Sequence, residues 1–137
     1  MKKYLNVSLI YAVAAMIGGV FYREFTKLNS FDGITVLGKV HTHLFLLGMI
    51  TFLIVALFAG KLALKEQKVF RVFMIVYNIG VSLTVVMMVI RGIVQVLGVS
   101  LSSGQSASIS GIAGIGHIMT GIGIILLIIS LKKAEEA

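Results

Sequence analysis

Three histidines are the side chains of this sequence best suited to chemistry, and all three lie in strongly apolar surroundings. His41 and His43 stand two residues apart in the segment VHTHLFLLG, and His117 lies in the segment GIAGIGHIMTG. A neutral imidazole is a good ligand for heme iron, zinc and copper. An ionisable side chain inside an apolar stretch is costly and commonly marks a functional site. The sequence therefore predicts a cofactor or metal site built on these histidines.

The spacing of His41 and His43 limits what the pair can do. Residues i and i+2 of a helix point about 200° apart, so the two imidazoles face opposite sides and cannot chelate one ion together. Each must face a different neighbour or pocket. A plainer interpretation stays open for all three histidines, because polar side chains in membranes often serve as hydrogen-bonded contacts between helices.

Composition indicates the elements that carry these histidines. The chain has 137 residues, of which 58% are hydrophobic and 12% charged, whereas charged residues reach about 25% in globular domains. Four apolar stretches are long enough to cross a bilayer, at about 4–22, 34–60, 69–98 and 108–131. The expected fold is an all-α integral membrane protein, with one four-helix transmembrane domain over residues 1–137 in a lipid bilayer. Too few residues lie outside these stretches to form a soluble catalytic domain.

Basic residues predict how this bundle is oriented. Four of them would lie on one side of the membrane (Arg23, Lys27, Lys39 and Arg91) and eight on the other (Lys2, Lys3, Lys61, Lys65, Lys68, Arg71, Lys132 and Lys133). The side richer in Lys and Arg is normally cytoplasmic. We therefore expect a multi-pass protein of the plasma membrane with both termini in the cytoplasm. The net charge of +7 then reflects topology and does not indicate a nucleic-acid partner.

Heme b is the cofactor that these residues suit best. The chain has no cysteine and no carboxylate within the spans, so a closed zinc site or an iron–sulfur cluster is poorly supplied. Heme needs only one or two axial histidines, an apolar slot and cations for its propionates. Helical rise places His41, His43, Arg91 and His117 about 22 to 30 Å above the cytoplasmic ends of their spans. Arg23 is a second candidate partner for a propionate, and copper has no support beyond the imidazoles.

The segment HTHLFLLG, which begins at His41, resembles the HxH segment in the tenth helix of the catalytic subunit of heme–copper oxidases and nitric oxide reductases. The resemblance implies that one histidine of the pair ligates a high-spin heme and the other an adjacent low-spin heme. That subunit consists of three four-helix arcs, and this chain resembles one arc, with Arg91 similar to the arginines that hold propionates. The resemblance therefore implies a homotrimer of twelve helices with hemes between protomers, in a bacterial family of four-helix membrane proteins.

The same resemblance limits the activity that we expect. The copper-site residues and proton-channel residues of the oxidases have no counterpart in this sequence, so oxygen reduction is not expected and a non-enzymatic protein is favoured. Electron transfer, gas binding or heme handling are the roles implied, and the sequence does not indicate a redox partner. The alternatives are a small transporter or channel, and a structural subunit whose histidines pack helices or bind a transition metal. The acidic residues all fall in loops or tails, which disfavours a proton-coupled exporter.

Overall fold

The protein is a row of four long helices. The structure, a computed structural model, describes residues 1–135, and in that part of the chain it contains no strand. The helices are α1 (Lys2–Leu28), α2 (Leu37–Ala59), α3 (Lys68–Leu97) and α4 (Ser103–Glu135), and a short 3-10 turn (Leu64–Glu66) precedes α3. Each of the four is long and apolar enough to cross a membrane. The predicted all-helical architecture with four such helices is confirmed.

α1 and α4 extend beyond their predicted spans at both ends, whereas α2 lies within the predicted span 34–60 and α3 is displaced by one residue from 69–98. The start of α4 shows one reason for the differences. This helix begins at Ser103 because a reciprocal pair of hydrogen bonds closes its first turn. The backbone N–H of Gln105 donates to Ser102 Oγ at 3.2 Å, and the backbone N–H of Ser102 donates to Gln105 Oε1 at 3.0 Å. This is a capping box, which satisfies two otherwise unpaired donors at a helix N-terminus. The predicted span at 108–131 therefore lies within a helix that is longer at both ends.

The helices pack in chain order, and the contact between α3 and α4 is the closest. Glycines bring the two backbones together there, as is common between membrane helices. A Cβ atom on Gly80 would lie 2.6 Å from the backbone nitrogen of Thr120, and one on Gly116 would lie 2.6 Å from Thr84 Oγ1. Further along, Gly123 lies against Tyr77. Because α4 packs mainly on α3, a wide side of α4 faces away from the rest of the bundle.

Aromatic side chains form the core of one half of the bundle. Phe52 of α2 and Phe70, Phe73 and Tyr77 of α3 are all fully buried. The ring of Tyr11 from α1 stacks on Phe52, with centroids 5.7 Å apart. These residues lie toward the end where α1 begins.

Candidate functional site

His43 and His117 share one side-chain geometry. The Nδ1 atom of His43 lies 2.9 Å from the backbone oxygen of Lys39, and the Nδ1 atom of His117 lies 2.8 Å from that of Ala113. A carbonyl oxygen only accepts, so in each ring Nδ1 carries the proton and donates it. The lone pair of Nε2 is then free. Histidines that ligate metals commonly use this arrangement, because the Nδ1–H bond fixes the tautomer and the ring orientation.

His41 has a different environment. Its Nδ1 atom is buried and has no hydrogen-bond partner among the described residues. Its Cβ and Cγ atoms lie 3.7 Å from the position that a Cβ on Gly19 would occupy, so His41 lies against α1. His43 is about 200° further around α2 and therefore lies on the opposite side of that helix. The two imidazoles of the HTH segment thus belong to different flanks of the protein.

A cavity lies between the beginnings of α2 and α4, beside the last third of α3. Its volume is about 360 Å³. Its walls come from Val36, which directly precedes α2, from four residues of α3 (Met87, Met88, Arg91 and Gln95) and from three of α4 (Ile109, Ser110 and Ala113). Val36 precedes His43 by two helical turns on the same side of the chain. Ala113 is the residue whose carbonyl accepts from His117. We call this cavity the α2–α4 groove.

The depth of His117 follows from the contact between α3 and α4. Gly116 lies directly against Thr84, whose Oγ1 and N atoms are 2.6 and 2.8 Å from the position of a Cβ on that glycine. His117 is the next residue along α4. It therefore lies level with Thr84, near the middle of α3.

The depth of His43 follows from two contacts between α2 and α3. Leu37 packs directly on Gly92, and Thr51 Oγ1 lies 3.1 Å from the hydroxyl of Tyr77. The midpoint between the two contacts falls one residue after His43 on α2, and at residues 84–85 on α3. The imidazoles of α2 and α4 therefore lie within about one helical turn of each other in depth, roughly 5 Å.

Arg91 lies at the rim of the same groove. Its guanidinium group donates to Ser106 Oγ at 3.3 Å, to the Ser106 carbonyl at 3.1 Å and to Ser110 Oγ at 2.7 Å. The side chain therefore ties α3 to the first turns of α4 and also lines the cavity. It is a fixed cation about two helical turns from the level of His117.

Arg23 does not lie at this groove. It lies on α1 one turn beyond Gly19, its Nε atom is 3.5 Å from the Glu24 carboxylate, and its side chain is 79% exposed. Among the predicted site residues, Arg91 lines the α2–α4 groove. His43 and His117 lie further along α2 and α4, beyond its lining residues. His41 and Arg23 lie on the flank formed by α1 and α2.

The donor set fits a heme better than a bare ion. Within residues 1–135 no group of three or more His, Cys, Asp or Glu side chains could hold a metal ion. A heme brings four nitrogen ligands of its own and needs only imidazoles above and below the ring. On α4, a Cβ atom on Gly114 or Gly121 would meet nothing within 4 Å. These glycines stand three residues before and four residues after His117, on the same face of the helix.

A π-helical stretch directly after His43 has no counterpart in the sequence-based expectations. It covers Leu44–Ile50, and π-helical turns often occur at functional sites. Three of the carbonyls in this stretch accept hydrogen bonds from side chains: Leu46 from Thr51, Leu47 from Tyr77 and Met49 from Ser8. Two of these donors lie on other helices. No local sequence signal could have revealed the stretch, since the stabilising donors are far away along the chain.

Over residues 1–135 the protein is all-helical, with four helices long and apolar enough to cross a membrane and with three histidines on α2 and α4. The chain belongs to the family described as "Protein of unknown function (DUF2871)", whose model matches residues 1–134. No curated protein matches the sequence, and no solved structure matches it. The relationship to heme–copper oxidases therefore stays a prediction from the HTH segment.

Proposed function

We propose that this protein binds heme b within the membrane and uses it in electron transfer, gas binding or heme handling. The observation that carries the proposal is the shared geometry of His43 and His117. Both rings donate Nδ1–H to a backbone carbonyl of their own helix, at 2.9 and 2.8 Å. Each therefore offers a free Nε2, the atom with which heme-ligating histidines bind iron.

Other features of the groove support the same proposal. Its walls are apolar apart from a few polar groups, which suits a porphyrin ring. Arg91, at the rim, supplies a positive charge for the propionates, and its hydrogen bonds to Ser106 and Ser110 hold it in place. When bound, heme b supplies one-electron redox chemistry or an axial position for a diatomic gas. The chain's own part is to orient the imidazoles, to exclude water and to neutralise carboxylates.

The proposal includes the plasma membrane and a cytoplasmic location for both termini. Its support is the positive-inside rule together with two clusters of basic residues. Lys3, Lys65 and Arg71 line one surface cavity, and Lys68 and Lys133 line another at the same end of the bundle. Most of the eight basic residues that the sequence assigns to the cytoplasm are thus near each other.

We also propose a homotrimer, as the resemblance to oxidase arcs implies. The support is the side chain of Arg23, which is 79% exposed and lies one turn beyond Gly19, the residue of α1 against which His41 packs. A neighbouring protomer would cover this part of α1. Native mass measurement in detergent tests this part separately, and a monomer would exclude the trimer without affecting heme binding.

An absorption spectrum of the purified protein tests the proposed function. The protein is expressed with a supply of heme and purified in detergent, and a Soret band is expected. The matched control carries His41→Ala, His43→Ala and His117→Ala together, which removes every imidazole and leaves the apolar surface. Absence of a Soret band from the natural protein would refute heme binding. An equal band in the triple variant would mean adventitious heme.

A further inference from the structure

We infer that this protein holds one anionic phospholipid between α1 and α3. The phosphate of the lipid lies at Lys3, Lys65 and Arg71, and an acyl chain follows the apolar faces of the two helices. The inference rests on the proposed membrane location and is independent of heme binding. It is more specific than the general attraction of basic residues to a membrane surface, because it assigns one lipid to one site.

Three cations converge at one end of this site. Lys3 of α1, Lys65 of the 3-10 turn and Arg71 of α3 line a single cavity of about 560 Å³. Among the described residues no carboxylate lines this cavity. Over residues 1–135 the structure contains one ion pair, between Arg23 and Glu24. The positive charges of the three side chains are therefore available to an anion from outside the chain.

A neighbouring basic cavity differs in this respect. Lys68 and Lys133 line it together with Glu66. A carboxylate repels a phosphate group and offsets the charge of one of the two lysines. An anionic headgroup is therefore expected to prefer the cavity that has three cations.

The rest of the three-cation cavity is apolar and lies deeper along the helices. Tyr4 and Phe70 are both buried and meet edge to face, with ring centroids 5.7 Å apart. Met74 and Ile75, one turn after Arg71, complete the lining. The cavity thus places cations at its outer end and apolar side chains one turn further in, which is the order of the groups in a phospholipid.

A second cavity follows on the same two helices. Its volume is about 680 Å³, and its lining begins at Val7 on α1 and at Asn78 on α3, in each case three residues beyond the lining of the first cavity. It extends along α3 as far as Val89, and Leu44 of α2 also lines it. We call the two successive cavities the α1–α3 groove.

The length of the α1–α3 groove suits an acyl chain. From Arg71 to Val81, α3 rises by roughly 15 Å. This distance is half of a hydrocarbon core about 30 Å thick, and therefore the depth of one leaflet. Because the groove continues to Val89, a chain that starts at the level of Arg71 meets its walls at every depth of that leaflet.

The polar groups in the groove favour an acyl chain over a ligand that needs hydrogen bonds. The Tyr11 hydroxyl donates to Asn78 Oδ1 at 2.8 Å, and Asn78 Nδ2 donates to the Met74 carbonyl at 2.7 Å. These groups therefore satisfy each other between α1 and α3. Ser82 is the other polar side chain in the described lining. Most of the remaining wall is aliphatic and buries a hydrocarbon chain favourably, as at Val7, Ile10, Ala14, Ile17, Val85 and Val86.

Native mass spectrometry in detergent tests the headgroup site, with phosphatidylglycerol and phosphatidylcholine of the same acyl chains as probes. The natural protein should retain one phosphatidylglycerol per chain, and should retain phosphatidylcholine at least several-fold more weakly. A variant with Lys3→Gln, Lys65→Gln and Arg71→Gln should bind phosphatidylglycerol roughly 100-fold more weakly, about fivefold for each cation. No retained lipid, or equal retention of the two lipids, would overturn the inference.

The matched control removes three positive charges at the neighbouring basic cavity. It carries Lys68→Gln, Lys132→Gln and Lys133→Gln, none of which alters the lining of the three-cation cavity. This variant should retain phosphatidylglycerol as the natural protein does. An equal loss of binding in both triple variants would reveal general charge attraction and would contradict a defined site.

A second pair of variants tests the position of the acyl chain and leaves the cations unchanged. Ile10 lines the α1–α3 groove and is 67% exposed, so Ile10→Trp obstructs the groove without disturbing the core. Retention of phosphatidylglycerol should fall several-fold. Leu9→Trp is the control, because Leu9 is 63% exposed and lies outside the described lining. Full retention by Ile10→Trp would exclude the chain from the groove and overturn the inference.

Inorganic phosphate distinguishes a lipid site from a site for a free anion. Thermal unfolding in detergent is recorded with each probe at the same concentration. Phosphatidylglycerol should raise Tm and inorganic phosphate should not, because only the lipid also fills the apolar part of the groove. An equal rise with both would indicate an anion site without a lipid and contradict the inference.

Discussion

Substitution of Gly116 by alanine should destabilise the protein through the contact between α3 and α4. The added Cβ would lie 2.6 Å from Thr84 Oγ1, 2.8 Å from the Thr84 nitrogen and 3.1 Å from the Gly80 carbonyl oxygen. Two of these are backbone atoms, which cannot move aside without shifting a helix. Overpacking of this kind costs about 1–3 kcal/mol. The gain in helix propensity from alanine, up to about 1 kcal/mol, offsets part of this cost. Because backbone atoms are struck, the upper part of the range applies, and we expect the free energy of unfolding to fall by about 1–2 kcal/mol.

Gly114→Ala is the matched control on the same helix. A Cβ at this position meets nothing within 4 Å, so no steric cost arises. Alanine is favoured over glycine inside a helix by up to about 1 kcal/mol. This variant should therefore be as stable as the natural protein or slightly more stable.

Thermal unfolding followed by circular dichroism in detergent measures both variants. For a chain of this size a loss of 1 kcal/mol lowers Tm by roughly 2–8 °C. Gly116→Ala should thus melt at least about 2 °C below the natural protein, and Gly114→Ala should not melt lower. Equal melting temperatures for the natural protein and Gly116→Ala would refute the close contact. A decrease for Gly114→Ala would refute the open space beside Gly114.

Two further substitutions probe local structure by amide hydrogen exchange. Tyr77→Phe removes the hydroxyl that donates to the Leu47 carbonyl at 2.7 Å, and the loss of this hydrogen bond costs about 0.5–1.5 kcal/mol. Exchange should become faster across the π-helical stretch, and unchanged rates there would contradict its dependence on Tyr77. Ser102→Ala removes the acceptor for the Gln105 amide and should weaken the α4 N-terminus by about 1 kcal/mol. Faster exchange at Gln105 alone is the expected sign, whereas an unprotected amide in the natural protein would exclude the capping box.

The number and approximate positions of the helices could be predicted from the sequence, because each apolar stretch is long enough to cross a membrane on its own. The ends of α4 could not be predicted from apolarity, since the capping box at Ser102 and Gln105 extends the helix into polar sequence. Those two residues match the S-x-x-Q pattern of a capping box, so that signal was present. The π-helical stretch had no such signal, because Ser8 and Tyr77 stabilise it from other helices.

The candidate site could be predicted in part. Helical geometry alone places His41 and His43 on opposite sides of α2, and the contact of His41 with Gly19 agrees with this placement. The sequence could not show which histidine has a free, oriented Nε2, since that depends on ring hydrogen bonds. It also could not separate Arg91 from Arg23, because both lie near the same end of the spans. The packing of α4 on α3 makes that distinction by bringing Arg91 to the α2–α4 groove.

The absorption spectrum of the natural protein, expressed with a supply of heme and purified in detergent, tests the central claim most directly. Heme binding by the histidines predicts a Soret band that is lost when His41, His43 and His117 are all replaced by alanine. An equal band in that triple variant would contradict ligation by these histidines. A preparation without a Soret band would contradict the proposal that this protein binds heme.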